Sequence, residues 1–172
     1  FIKANKTTIN SLWIASISYA LAKYLSREDA IFTTVYNGRN DTRIHQDVGM
    51  FVHTLPIVVE PFKSSNAVDF VKSVGEQIQL NMAHDIYSFM EIAHDYGVRA
   101  DLLFVYEGKI SQGAKLGGED IKNATLLSTN EPKADILIAV SDIDDGFNIQ
   151  IEHDGNKYEE WSIDSFINSV IR

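Results

Sequence analysis

Three His-Asp dipeptides, His84-Asp85, His94-Asp95 and His153-Asp154, are the first candidates for chemistry, because imidazole and carboxylate together can hold a divalent metal and activate water. Their placement argues against it. His84 and His94 fall on two separate short helical segments and His153 in a turn near the C-terminus, so the spacing assembles no set of three ligands. Solvated or capping histidines explain them better, and no metal is expected. His45 and His53 form a second group, with Gln46 and Asp47 beside the first. Along an extended segment His53 and Phe51 point one way while Val52 and Thr54 point the other. His53 has the chemistry of a general base, though a lone histidine in a strand is more often hydrogen-bonded structure.

Other nucleophile and phosphate motifs fail on spacing. No serine sits in a GxSxG elbow, and the glycines around Gly113-Ala114-Lys115 and Gly117-Gly118 lack the GxxxxGK[ST] pattern. The sequons at Asn5 and Asn123 read as chance without a secretory signal. With no cysteine there is no thiol nucleophile, thiolate metal site or disulfide, which fits a reducing compartment; a cytoplasmic protein is expected. Local chemistry alone therefore assembles no complete active site.

The elements that must position these residues are better defined. Ile9, Leu12, Trp13, Ile17, Ala20, Leu21 and Tyr24 recur at helical spacing behind Thr7 or Thr8 as N-cap. Ala30–Tyr36 reads as a strand ending in an Asn37-Gly38 turn. Residues 48–60 read as extended, with Pro56 splitting them into two strands or sitting at an edge or bulge. A second helix follows Ser65 or Asn66, a third runs from Ser88 to Tyr96 with Gly97 closing it, and Asp101–Tyr106 is a strand. Residues 107–123 hold four glycines and no apolar period, the pattern of a long crossover or surface loop. Asp135–Ser141 and Phe147–Glu152 pair as a hairpin, and Ser162–Ile171 forms the last helix. The expected fold is α/β, a mixed, largely antiparallel sheet with helices packed on it, forming one unit over residues 1–172.

Composition sets the outer bounds. At 172 residues the chain is long enough for one domain or one lobe, and 45% hydrophobic residues exclude intrinsic disorder. No apolar run approaches the ~18–20 residues needed to span a bilayer, so no membrane partner is expected. Twenty-four acidic against 15 basic side chains, a net charge of −9, disfavour a nucleic-acid partner. The first residue is Phe, and a strong helix begins a few residues later, so an excised piece of a longer polypeptide is expected.

The stretch from Val35 to Val59 is far more distinctive than any histidine cluster. It resembles the C-terminal lobe of condensation domains from nonribosomal peptide synthetases, where a strand ends in Gly-Arg and a pattern like (I/V)GxFVNT(L/Q)P follows. Here the pair is Gly38-Arg39 and the pattern is Val48-Gly49-Met50-Phe51-Val52-His53-Thr54-Leu55-Pro56, with His53 in place of the usual Asn. His84-Asp85-Ile86-Tyr87-Ser88-Phe89 is similar to the family's HQDYPFE block, with Ser88 for Pro and Met90 for Glu. Val98–Phe104 and Lys133–Leu137 resemble later strand entries, so the likeness runs along nearly the whole chain in order.

The resemblance implies a chloramphenicol-acetyltransferase-like fold of two α/β lobes, this chain being one, with the N-terminal lobe missing. Carrier-protein domains bring aminoacyl or peptidyl thioesters to the tunnel between the lobes on phosphopantetheine arms, and an amide forms. No cofactor is expected on this chain itself. The family's catalytic HHxxxDG motif does not occur here, so the isolated chain is expected to be inactive, with no catalytic residue of its own. Gly38, Arg39, Gly49, Phe51, His53 and Thr54 are the expected active-site support, Arg39 bracing the missing loop through its Asp; His84 and Tyr87 are weaker candidates. A CoA-dependent acyltransferase and a non-catalytic carrier-docking or scaffold module are the alternatives. Exposed apolar surface meant for the other lobe makes self-association of the isolated chain plausible.

Overall fold

Capping residues fix the helix starts, as their types predict. In the computed structural model, which describes residues 1–39, 41–109, 115–120 and 133–172, Thr8 Oγ1 accepts from Ser11 N at 3.0 Å. Asn66 caps the second long helix, and Ser88 and Glu91 close a reciprocal capping box on the third. The elements run α1 (Ile2–Asn5), α2 (Ile9–Tyr24), β1 (Ala30–Tyr36), β2 (His53–Val59), α3 (Ala67–Ala83), α4 (Phe89–Tyr96), β3 (Leu102–Gly108), β4 (Lys115–Leu116), β5 (Glu119–Asp120), β6 (Ile136–Ile143), β7 (Gly146–His153) and α5 (Glu160–Ile171). Gly97 ends α4 at φ +62°, the left-handed closure expected of it.

Five strands form one mixed sheet in the order β2-β1-β3-β6-β7. The outer pairs are antiparallel and the two central ones, β1 with β3 and β3 with β6, are parallel. The β1–β3 register covers only Thr33 with Leu103 and Thr34 with Phe104. Both threonine hydroxyls reinforce this short join, donating to the Leu102 and Phe104 carbonyls at 3.2 and 3.0 Å. One sheet face carries Phe32, Ile57, Phe104, Ile138 and Val140, all at 0–1% exposure, against α2, α3 and α5. Each such side chain contributes about 1.5–3 kcal/mol by leaving water. The alternate residues Ile31, Val35, Leu103 and Val105 stay half-buried and outside this core. Gly75, which costs α3 helix propensity, lies where an added Cβ would stand 3.1 Å from Ser11 Oγ, so its absence lets α2 and α3 pack closely.

Three expectations change. Residues 48–52 are not strand; of the alternatives for Pro56 the edge position is the one found, β2 running unbroken through it. In an antiparallel strand a residue's N–H and C=O share a side. The Pro56 carbonyl faces outward to Asn81 Nδ2 at 2.6 Å, so the missing proline N–H falls on the outer edge, where no ladder bond needs it. The hairpin after β6 is tighter than expected, with Asp144-Asp145 alone between the strands. The 107–123 segment contains the end of β3 and the small β4–β5 hairpin, while residues 110–114 and 121–132, including the Asn123 sequon, lie outside the described residues.

Phe104→Ala should cost about 3–5 kcal/mol of unfolding free energy, by lost burial plus the cavity left behind, measured by urea titration. Asp135, at the foot of β6, accepts from Lys157 Nζ at 2.6 Å and Arg99 Nη2 at 3.4 Å, and the Lys157 hydrogen bond first among these holds its carboxyl below the usual range. A carboxyl pKa lowered in the folded state stabilises above its unfolded value near pH ~4, and that contribution is lost as pH falls through the folded one. Asp135→Asn should therefore lower Tm at neutral pH and flatten the loss of Tm between pH ~5 and ~3. Parallel Tm–pH curves for the two proteins would refute this role.

Candidate functional site

The parallel strands β1, β3 and β6 all finish at the same end of the sheet, and Gly38-Arg39 leaves from the end of β1. Asn37 Oδ1 accepts from Arg39 N at 3.1 Å, and Gly38 turns the chain at φ +64°. A Cβ on Gly38 would stand 1.8 Å from the Phe51 carbonyl oxygen and 3.0 Å from His53 Cδ2, so two chain segments cross here in the space of a missing side chain.

The crossing lays the Arg39 guanidinium over the Phe51 ring, 4.5 Å from its centroid. Arg39 Nη1 donates to the Ile44 carbonyl at 2.6 Å, and Nη2 reaches the Gly49 carbonyl at 3.5 Å. His45 Nε2 lies 2.8 Å from the Arg39 carbonyl; since a carbonyl only accepts, that nitrogen carries the proton. Gly49 is exposed, with the Phe51 ring 3.1 Å from where its Cβ would be. Gly38, Arg39, Gly49 and Phe51 thus form one set of mutual contacts, in which Phe51 is a half-buried platform rather than core.

His53 opens β2 opposite Tyr36, their rings 6.5 Å apart. Its Nδ1 is 3.1 Å from the Asp85 carbonyl, to which it donates, and 3.9 Å from Asp85 Oδ2. Tyr36 is 8% exposed and its hydroxyl has no hydrogen-bond partner among the described residues. His53 and the exposed Thr54 line a cleft of about 240 Å³ with Val52, Asp85, Ser88, Phe89 and Met90. The two weaker candidates lie outside this cleft. His84 Nδ1 donates to the Leu80 carbonyl at 2.8 Å, closing the end of α3. The Tyr87 hydroxyl donates to Asp95 on α4, and that bond, first among its causes, pushes the phenol up to about 12.

Ile44 and Tyr36 belong to the site's structure and were not marked by the sequence, while His45 and Asp85 were marked only as metal or base candidates; Asp85 and Ile44 act through backbone carbonyls, which no side-chain pattern marks. A cavity of about 290 Å³ lies at the opposite end of the sheet, against Arg27, Arg99 and Tyr158. Its arginines are bound to Asp29 at 2.8 Å and Asp101 at 2.6 Å, which neutralises them locally. Among the described residues no group of three or more His, Asp or Glu side chains is arranged to hold a metal, and no helix is long and apolar enough to cross a membrane. The chemistry offered by the Arg39 edge is positioning: a fixed cation beside an imidazole with one nitrogen tied down.

Comparison with known proteins gives the family and the fold. A family described as "Condensation domain" matches residues 1–172. Bacitracin synthase 1 of Bacillus licheniformis is 26% identical over 160 residues, covering 88% of this chain and 3% of that protein. Among solved structures, the first condensation domain of the CDA synthetase superposes with a TM-score of 0.77 at 16% identity, covering 98% of this chain and 39% of that one. The epimerization domain from the third module of tyrocidine synthetase B gives 0.74 at 19%, covering 98% and 41%. The fold is accordingly one lobe of the chloramphenicol-acetyltransferase-like architecture, and the chain spans about two fifths of those solved chains. The chain belongs to the condensation-domain family of nonribosomal peptide synthetases.

Proposed function

We propose that this chain is the C-terminal lobe of an amide-forming condensation domain, and that its Gly38-Arg39 edge braces the catalytic loop of a second, N-terminal lobe. The observation that carries the reading is the state of Arg39. Its guanidinium is immobilised on Phe51 and against two carbonyls at the rim of the sheet, while a guanidinium has five N–H donors. Donors not used internally are available, in fixed orientation, to a carboxylate from outside the chain, the geometry in which Arg–carboxylate pairing is strongest.

Amide formation requires an amine and a thioester carbonyl to be held together and the tetrahedral oxyanion to be stabilised. A lobe that supplies wall and bracing contributes to this without carrying the base. The substrates are aminoacyl or peptidyl thioesters, each on the phosphopantetheine arm of a carrier-protein domain. The likeness to an epimerization domain supports a different chemistry on the same frame, and a module that only docks carrier proteins is the non-catalytic alternative. An intact HHxxxDG in the adjoining lobe together with amide product separates condensation from both. The half-buried second face of the sheet is where an isolated lobe would self-associate.

The isolated 172-residue chain should form no amide from aminoacyl-carrier substrates, and turnover by it alone would refute the division of labour. In the intact protein, Arg39→Ala should lower the condensation rate at least tenfold while shifting Tm only slightly, and Arg39→Lys should rescue little, because an ammonium cannot reproduce a planar fork. Unchanged turnover in Arg39→Ala would end the bracing role. Gly38→Ala should lose both activity and local order, since its methyl has nowhere to go beside the Phe51 carbonyl.

A further inference from the structure

His53 is held by one nitrogen and open at the other. Nδ1 donates to the Asp85 carbonyl at 3.1 Å, which fixes both the ring plane and the tautomer: the proton is on Nδ1 and the lone pair on Nε2. Nε2 has no hydrogen-bond partner among the described residues, and Cδ2 beside it borders the Gly38 turn. The ring forms part of the wall of the cleft of about 240 Å³ between β2 and the start of α4. Its surroundings are rich in acceptors. The Asp85 carboxylate lies 3.9 Å from Nδ1, and Glu91 on α4 is bound by Ser88 Oγ at 2.8 Å. Arg39, on the far side of the Gly38 turn, is committed to Phe51 and to loop carbonyls, and the Tyr36 ring lies 6.5 Å from that of His53.

We propose that His53 binds the acyl acceptor, its Nε2 receiving an N–H of the acceptor's primary amine in this cleft. The inference rests on the condensation reading and names the part of that reaction the cleft serves. A thioester carbonyl offers only lone pairs and gains nothing from an imidazole lone pair, whereas the amine is the reacting group with hydrogens to give. One N–H given to Nε2 leaves the nitrogen lone pair free to attack. His53 is thereby a binding residue of the acceptor side, distinct from the base that the reaction also needs.

The two amide side chains separate the two ends of the ring. In His53→Asn the amide nitrogen takes the place of Nδ1 and keeps the Asp85 bridge, but nothing stands at Nε2. In His53→Gln the longer amide reaches the Nε2 position and loses the bridge. With the intact protein and separately varied donor- and acceptor-loaded carrier proteins, His53→Asn should keep Tm within about 2 °C and raise KM for the acceptor roughly tenfold, with kcat and the donor KM little changed; His53→Gln should recover part of the acceptor KM while lowering Tm. An unchanged acceptor KM in His53→Asn overturns the proposal and leaves His53 as the Asp85 bridge. An equal rise for donor and acceptor also overturns it, because the shared pantetheine arm would then be the ligand. If the wild-type protein makes no amide while binding both carriers, the condensation reading falls, and this inference with it.

Discussion

The site depends on the absence of one side chain. Where β1 ends, the chain must turn away and pass beneath the segment that leads back into β2, and the two backbones meet so closely that a Cβ at position 38 would stand 1.8 Å from the Phe51 carbonyl oxygen. The positive φ of Gly38 and this contact are separate demands satisfied by the same residue. From that crossing the rest follows. Phe51 comes under Arg39, the Arg39 guanidinium reaches the carbonyls of the 41–50 loop, and His53 begins its strand facing Tyr36. The loop itself holds few apolar contacts, and Val48 and Met50 are exposed; its order comes from Arg39, His45 and the Asp41 cap on the Arg43 amide at 2.8 Å.

The sheet places this crossing where chemistry is usual for open α/β folds, beyond the carboxyl ends of the parallel strands. The two antiparallel strands at the edges make the mixed sheet self-limiting. At β2 the outward carbonyls of Pro56 and Val58 are taken by Asn81 and Gln77 of α3 at 2.6 Å each, so the edge offers little to a further strand. The same two bonds tie α3 to the strand that carries His53, and α3 leads directly into Asp85. One helix therefore protects the edge and delivers the carbonyl that orients the imidazole.

Legibility in the sequence divided along the same line. Strands and helices whose residues repeat with a period were readable: Ala30–Tyr36 fell on β1, Asn66 and Ser88 capped where their types predicted, and Gly97 closed α4. The segment 48–52 was misread as strand, because Val48, Met50 and Val52 look like a β-alternation, yet they are exposed and the chain there answers to Gly38 instead of to a neighbouring strand. Pro56 was read as a breaker or as an edge or bulge residue, and the choice among these depended on where α3 would pack, which local pattern does not encode. At the site, the glycines, the arginine and Phe51 were visible as a motif through family resemblance. The Asp85 and Ile44 carbonyls were not, since a backbone acceptor thirty-two residues from His53 leaves no trace in residue type.

A buried or immobilised cation is costly unless its environment answers it, and Arg39 shows how a lobe can present one at an open rim. Left in water, the side chain would sample many rotamers and would lose up to about 2 kcal/mol of freedom on meeting a partner. Here that ordering is completed within the lobe, by the Phe51 face and by loop carbonyls, before any outside carboxylate arrives. The carbonyls are weak competitors for the guanidinium compared with an ion, so the arrangement orients without saturating. Lysine would not reproduce this arrangement: its ammonium neither stacks flat on a ring nor presents a planar, bidentate fork. The demand for arginine at position 39 and the demand for glycine at position 38 are thus two halves of one constraint, since only a turn without a side chain brings the guanidinium down onto Phe51.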